Sequence, residues 1–282
     1  MEIRFQKMHG AMNDFVVFHD FDSAINLSPE QVRSICHRRA GIGADGVIVV
    51  RPSSVADFFM DYINSDGSIA EMCGNGIRCL AKYVYDNGHS TKRTLSIETR
   101  SGMKGVELFP GSEGKIVQVR VDMGKPIFNP EQIPVNIRTD NLPITDYPVE
   151  AGSRTFSAAI LSMGNPHCVI ITDEDLDSLA REFGPVIEKN SLFPARTNVE
   201  FINVANRGRI IMRVWERGSG ETLSCGTGAC AAMVAAVLKD RVDRSAIVQL
   251  LGGDLEIEWK NSEYPVFMTG EAILAYNGII TI

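Results

Sequence analysis

No stretch of this 282-residue chain approaches the roughly 18 consecutive apolar residues of a membrane-spanning helix, and its start, "MEIRFQKMHG", lacks the apolar core of a secretory signal. A cytoplasmic protein is expected. Blocks of like charge are also missing. With a net charge of -7 at pH 7 the chain has neither a basic nucleic-acid footprint nor a membrane-surface helix, which leaves a small molecule as the expected partner. The six cysteines, at positions 36, 73, 79, 168, 225 and 230, form no dense disulfide framework and no paired C-x-x-C zinc ligands. Free thiols and no metal are expected. The 44% hydrophobic content is ordinary for a globular chain with a sizeable core, in one large domain or two.

What the chain does contain is a repeat. "MDYINSDGSIAEMCGNGIRC" from Met60 lines up without a gap on "MRVWERGSGETLSCGTGACA" from Met212, a shift of 152 residues. The same shift carries Asn13 of "GAMNDFVVF" onto Asn165 of "SMGNPHCVI", and Val47 of "ADGVIVV" onto Val199 of "RTNVEFI". One register over three separated segments points to a duplication. The proline-rich "DMGKPIFNPEQIP" reads as the linker, with a boundary near residue 124. Runs such as "GVIVV", "TLSIET", "KIVQVRVDM", "HCVIIT" and "RIIMRVW" are β-branched or alternate apolar with polar, as strands do. Two helices are clear, in "IRCLAKYVYDNG" and "ACAAMVAAVLKDR". The second is apolar around its circumference from Ala229 to Leu238 and must be buried on all sides. The expected fold is therefore mixed α/β: two pseudo-symmetric domains, each a curved sheet or barrel around a central helix, with the active site in the cleft between them.

In both repeats a thiol immediately precedes Gly-x-Gly at a helix start: Cys73 in "MCGNGIRC" and Cys225 in "SCGTGAC". The first N–H groups of a helix have no internal partner, and together with the helix dipole they form an anion site. The N–H groups near Gly74, Asn75, Gly226 and Thr227 could hold a carboxylate, and the same field is expected to favour thiolate over thiol. Two acid/base groups on opposite faces of one carbon are what stereochemical inversion needs, and thiols serve as either acid or base near neutral pH. A racemase or epimerase is the reaction class these residues suggest.

The chain resembles the diaminopimelate epimerase family in "MNDFVV", "GIGADG", "NSDGSIAEMCGNGIRC", "GNPHCV", "RTNVEF" and "ERGSGETLSCGTGAC", in order and over nearly its full length. The resemblance implies conversion of LL-diaminopimelate to the meso isomer without pyridoxal phosphate, metal or other cofactor, in lysine and peptidoglycan precursor synthesis. It implies that Cys73 and Cys225 are the acid/base pair. Substrate contacts would come from Asn13, Asn64, Gly74, Asn75, Asn165, Asn198, Glu216, Arg217, Gly226 and Thr227, and His167 and Glu216 would bias the thiols' protonation. The resemblance also implies a homodimer and a final strand, within residues 271–282, that returns to the first domain, so the domains would be 1–124 with 271–282, and 125–270. The chemistry agrees: a substrate with two amino-acid ends needs one end fixed while the other inverts, and Arg217 can grip a carboxylate bidentately. One departure lies at Gly46, where some members carry a glutamine that contacts substrate.

Two rivals remain. A proline or hydroxyproline racemase of the same superfamily typically has His in place of Asn75 and an Asp-Arg-Ser-Pro run where this chain has "ERGSGETLS". A thiol redox or zinc module would pair Cys73 with Cys79 and Cys225 with Cys230, but neither pair is C-x-x-C. Cys79 and Cys230 are expected in the core, and Cys36 and Cys168 receive no task.

Overall fold

A computed structural model describes residues 1–282, and the patterned runs become its strands. The first 122 residues form β1 (Glu2–Gly10), β2 (Asn13–His19), α1 (Pro29–Cys36), β3 (Gly46–Arg51), β4 (Phe58–Asn64) and α2 (Gly74–Asp86), followed by β5 (Thr94–Thr99), β6 (Gly102–Pro110) and β7 (Ile116–Asp122). Next come β8 (Ile144–Ala151), β9 (Arg154–Ser162), β10 (Pro166–Ile171), α3 (Leu176–Glu188), β11 (Asn198–Asn206), β12 (Arg209–Glu216) and a two-residue β13 (Gly220–Glu221). The chain closes with α4 (Gly226–Leu238), β14 (Ser245–Leu250), β15 (Gly253–Glu258), β16 (Phe267–Glu271) and β17 (Ile273–Thr281). It divides into two compact units, residues 1–122 with 269–282, and residues 123–268. The expected mixed α/β class, few helices against much curled sheet, is what the structure has. No helix is long and apolar enough to cross a membrane.

In the first unit β1 lies between β17 and β2, antiparallel to both; β2 and β3 are parallel, β3 and β4 antiparallel, β4 and β5 parallel, and β5 to β7 a meander. The second unit repeats the scheme: β8, β9 and β10 are antiparallel in turn, β10 and β11 parallel, β11 and β12 antiparallel, β12 and β14 parallel, β14 and β15 antiparallel. Parallel neighbours cannot be joined by a hairpin, so each parallel step needs a crossover, and the four helices are those crossovers. Shifting by 152 residues carries β1 onto β9 and α2 onto α4 end to end.

Crossovers on both faces explain the unbroken apolar strands. In β3, Val47 and Val49 pack with Val32, Ile35 and Cys36 of α1, while Ile48 faces the start of α2. In the second unit, Cys168 and Ile170 of β10 and Val199 and Phe201 of β11 pack with Leu179, Ala180 and Ile187 of α3. Helices α1 and α3 are not among the two named from the sequence. Both are amphipathic covers, α1 opened by the Ser28–Gln31 capping box and α3 capped by Asp175, and α3 contains Pro185. The other two run through the interior: every residue of α4 except Thr227 and Leu238 is buried. The supposed linker is not loose. Ile127 pairs with Ser162 of β9, and Ile133 and Val135 are buried in the second unit's core. Its prolines break regular structure without breaking packing.

Candidate active site

Cys73 is the N-cap of α2, with extended backbone (φ -141°, ψ 118°), and its Sγ accepts from the Gly76 N–H at 3.4 Å. The thiol donates to Oδ1 of Asn13 at 3.4 Å, and Nδ2 of Asn75 donates to the same oxygen at 3.3 Å. Asn13 reaches this position from the tip of the β1–β2 hairpin, whose two turn residues, Ala11 and Met12, both have positive φ (51° and 60°). Such a turn matches the twist of the strands but is usually built from glycine or asparagine. On its far side Nδ2 of Asn13 donates to Asp45 at 2.7 Å. Asp45 also takes Arg38, which forks onto Asp14. Burial alone would raise the Asp14 carboxyl, but the bonds from Arg38 and Lys7 outweigh it and hold it down at about 2. Beneath the helix start the fully buried Arg78 donates to Asn75 Oδ1 at 3.0 Å, the Gly74 carbonyl at 3.1 Å and the Glu271 carbonyl at 3.2 Å. Asn64 ends β4 opposite Gly46 and bonds Ser68. A side chain at Gly46 has no room, since a Cβ there would lie 2.5 Å from the Tyr62 ring and 2.6 Å from the Ile63 carbonyl.

Cys225 caps α4 in the same extended conformation (φ -127°, ψ 109°) but is only 5% exposed. Its sulfur lies 3.5 Å from the Thr227 hydroxyl. Nδ2 of Asn165 donates to that hydroxyl at 3.3 Å, and Oδ1 of Asn165 meets Nε2 of His167 at 2.9 Å. The other ring nitrogen, Nδ1, is 2.7 Å from Oε1 of Glu200, and neither side chain of this pair touches solvent. Glu216 ends β12 with its carboxyl against the Cys225 thiol and accepts from the Thr222 hydroxyl. Burial pushes the Glu216 carboxyl up. Asn198 sits at the start of β11; its Nδ2 donates to the Pro166 carbonyl at 2.9 Å and its Oδ1 accepts from the Arg217 backbone N–H at 2.9 Å. The exposed Arg217 guanidinium donates to the Ala195 carbonyl.

The expectation that both helix starts favour thiolate needs correcting at Cys225. Burial, followed by the nearby Glu216 and Glu200 carboxyls, pushes its thiol well above the ordinary value, and the Thr227 and Gly228 hydrogen bonds offset only part of this. Cys79, wholly buried on α2, is pushed to about 12 by burial, and Cys36 to about 11 by burial and by Asp14 and Asp45. All six cysteines are thiols, and no group of three or more His, Cys, Asp or Glu is arranged to hold a metal ion.

The structure thus gathers Cys73, Gly74, Asn75 and Asn13 at one helix start, and Cys225, Gly226, Thr227, Asn165, His167 and Glu216 at the other. Asn198 and Arg217 meet each other through the backbone. Three residues escape sequence reasoning. Arg78 hides within an apolar helical run. Glu188, at the end of α3, accepts from the Trp215 indole and the Gly218 N–H, each at 2.9 Å, and so braces the turn that carries Arg217. Glu200 occupies an inward position of an otherwise apolar strand, "NVEFI", where a lone carboxylate is the one available signal.

The diaminopimelate epimerase family model matches residues 5–129 and 159–275. Over 282 residues, the full length of both chains, the sequence is 45% identical to the diaminopimelate epimerase of Leptospira biflexa. Among solved structures, a phenazine biosynthesis protein of the PhzF family from Bacillus anthracis superposes with a TM-score of 0.71 at 17% identity, covering 100% of both chains. A hydroxyproline epimerase from Agrobacterium vitis superposes at 0.70 with 13% identity, over 99% of this chain and 92% of the other. At such identities these two show the fold alone, and the proline-racemase branch is a distant structural relative. The match to the family model over most of the chain, and to a relative over its full length, places the chain in the diaminopimelate epimerase family.

Proposed function

We propose that this protein epimerises LL-2,6-diaminopimelate to the meso isomer, with the Cys73 and Cys225 thiols as the acid/base pair. One observation carries the reading: two cysteines at equivalent positions cap two equivalent buried helices, each in a Cys-Gly-x-Gly start that is met by an asparagine from an equivalent hairpin, Asn13 at the β1–β2 turn and Asn165 at the β9–β10 turn. One sulfur removes the α-proton, and the other delivers a proton to the opposite face. The N–H groups at Gly74-Asn75 and Gly226-Thr227 take the carboxylate of the inverting centre, where negative charge grows as the α-proton leaves. Asn64, Asn198 and Arg217 hold the distal amino-acid end, and His167 and Glu216 set the protonation of the thiols. From the family alone we propose a homodimer acting in the cytoplasm.

The test is to incubate reduced protein with LL-diaminopimelate, without added cofactor, and to separate the stereoisomers. The meso isomer is expected, while proline should be turned over at least about 10⁴-fold less efficiently, because it leaves the polar groups for the distal end unpaired. Comparable turnover of proline would overturn the assignment.

A further inference from the structure

Glu200 is a buried carboxylate at a position where the sister repeat has Ile48, under the same turn of helix. Its Oε1 meets His167, and its Oε2 is buried without a protein hydrogen-bond partner. A group so costly to bury calls for a compensating role. The atoms beyond it supply one. Asn165 presents its carbonyl oxygen to Nε2 of His167, so Nε2 carries a hydrogen, and one proton lies between Nδ1 and Glu200. Asn165 then has its N–H side toward Thr227, whose oxygen accepts it. The Thr227 hydroxyl proton is left to point at the one remaining neighbour, Sγ of Cys225. Every donor in the run from His167 to Thr227 faces the sulfur, and the only group that sets this direction is the carboxylate at its far end.

We infer that Glu200 is a positioning residue for the second thiol: it fixes the His167 ring with Nε2–H on Asn165 and thereby turns the Thr227 hydroxyl proton onto Cys225. The place of Gly228 follows, because a Cβ there would lie 2.7 Å from Oε1 of Glu200 and 3.3 Å from the Cys225 sulfur. Around Cys225 the titratable groups are Glu216 on β12, Glu200 on β11 and His167 on β10; Glu216 meets the thiol directly, whereas Glu200 reaches it through the hydrogen-bonded run that begins at His167. The importance of this arrangement for catalysis rests on Cys225 being an acid/base group, as proposed above; the arrangement itself does not.

The experiment measures alkylation of Cys225 by iodoacetamide against pH, read by mass spectrometry, with the Cys73 peptide in the same sample as control. In Glu200→Gln the amide N–H can donate to Nδ1 and keep the ring as it is, so the midpoint for Cys225 should fall below wild type, because a carboxyl that raises the thiol is gone while the hydroxyl stays on the sulfur. Glu200→Leu loses the same carboxyl and the anchor as well, and with the hydroxyl no longer held on the sulfur its midpoint should lie about one pH unit above that of Glu200→Gln. Cys73 should not move in either variant. In a Thr227→Val background, where there is no hydroxyl to aim, the Gln and Leu variants should share one midpoint. Equal midpoints for Gln and Leu with Thr227 present, or a parallel shift of Cys73, would overturn the inference. Should Glu200→Leu fail to fold, nitrogen NMR of His167 in the wild-type chain decides: a protonated Nε2 supports the run as drawn, and a bare Nε2 overturns it. Because alkylation needs no turnover, a negative result here speaks against Glu200 alone, whereas an active Cys225→Ala variant would speak against the acid/base reading alone.

Discussion

The helix starts of α2 and α4 have the same length of helix behind them, the same cap conformation and the same Cys-Gly-x-Gly wording, yet their surroundings are opposite in kind. Cys73 is part-exposed, and beneath its helix lie an apolar floor of Ile48 and Met60 and the buried cation Arg78. Cys225 is buried, with a carboxylate beside it in Glu216 and a polar floor of Glu200 and His167. The duplication supplies two equivalent backbones, and the side chains below them divide the electrostatics. A reaction that inverts one carbon needs an acid and a base that can exchange roles, and two identical thiols in identical fields would have no means of being held in different protonation states.

Removing either sulfur is the severest way to break this comparison. Cys73→Ala and Cys225→Ala should each lower turnover by ~10²-fold or more while circular dichroism stays near wild type, since the backbone caps survive. Activity in either variant above about a tenth of wild type would mean that the two starts are not both used.

A smaller effect should separate the floors. At Gly228 an added methyl meets a carboxylate pinned by His167, whereas at Gly76 it meets the mobile ends of Ile48 and Met60 at 2.9 and 3.0 Å. Gly228→Ala should therefore cost on the order of 1–3 kcal/mol of stability and Gly76→Ala less, both read by chemical denaturation. Equal losses would show that the polar floor is no stiffer than the apolar one.

Thiol reactivity sharpens the same contrast. Cys73 should be alkylated before Cys225, and the rate at Cys225 should still be rising at pH values where an ordinary thiol, near about 8.5, has levelled off. Glu216→Gln should move the Cys225 profile toward lower pH, because a carboxylate that raises the thiol is gone. A shift toward higher pH would contradict the assignment.

Much of this was legible in the sequence for identifiable reasons. The thiols, the glycine turns and the asparagines are short-range signals whose chemistry is visible in the residue types, and α4 declares its burial by being apolar all round. The helices α1 and α3 carry signals of their own, the Ser28–Gln31 capping box and Asp175 ahead of a face of Leu176, Leu179, Ala180 and Ile187, but they stand outside the repeated glycine turns that mark α2 and α4. The polar floor under Cys225 was half legible. His167 stands in a motif, but Glu200 acquires its meaning only when β11 is paired with β10 in a register that sets Asn198 opposite His167. The depressed thiol expected at Cys225 failed because the helix field was weighed without burial or the two carboxylates, which come from other strands.

The smallest effect is expected at the rim of the first unit. Arg38 is 59% exposed at its side chain and ties Asp14 to Asp45, which in turn holds Asn13. Arg38→Ala should cost no more than about 1 kcal/mol at neutral pH. The Asp14 carboxyl lies at about 2 in the folded protein, below its unfolded value, so it stabilises the fold above the usual carboxylate range and that contribution is lost as pH falls toward 2. In Arg38→Ala the acid-induced loss should begin at higher pH, as followed by fluorescence during acid titration.

The central claim is that two thiols handle one carbon from opposite sides, one removing its proton and the other supplying a new one. Conversion of LL-diaminopimelate in deuterated water, stopped before equilibrium, tests it most directly. The account predicts meso product carrying one solvent deuterium, at the inverted α-carbon, and unreacted substrate still largely unlabelled. Meso product that retains the substrate's own hydrogen at that carbon, or label at both α-carbons from a single turnover, would contradict it.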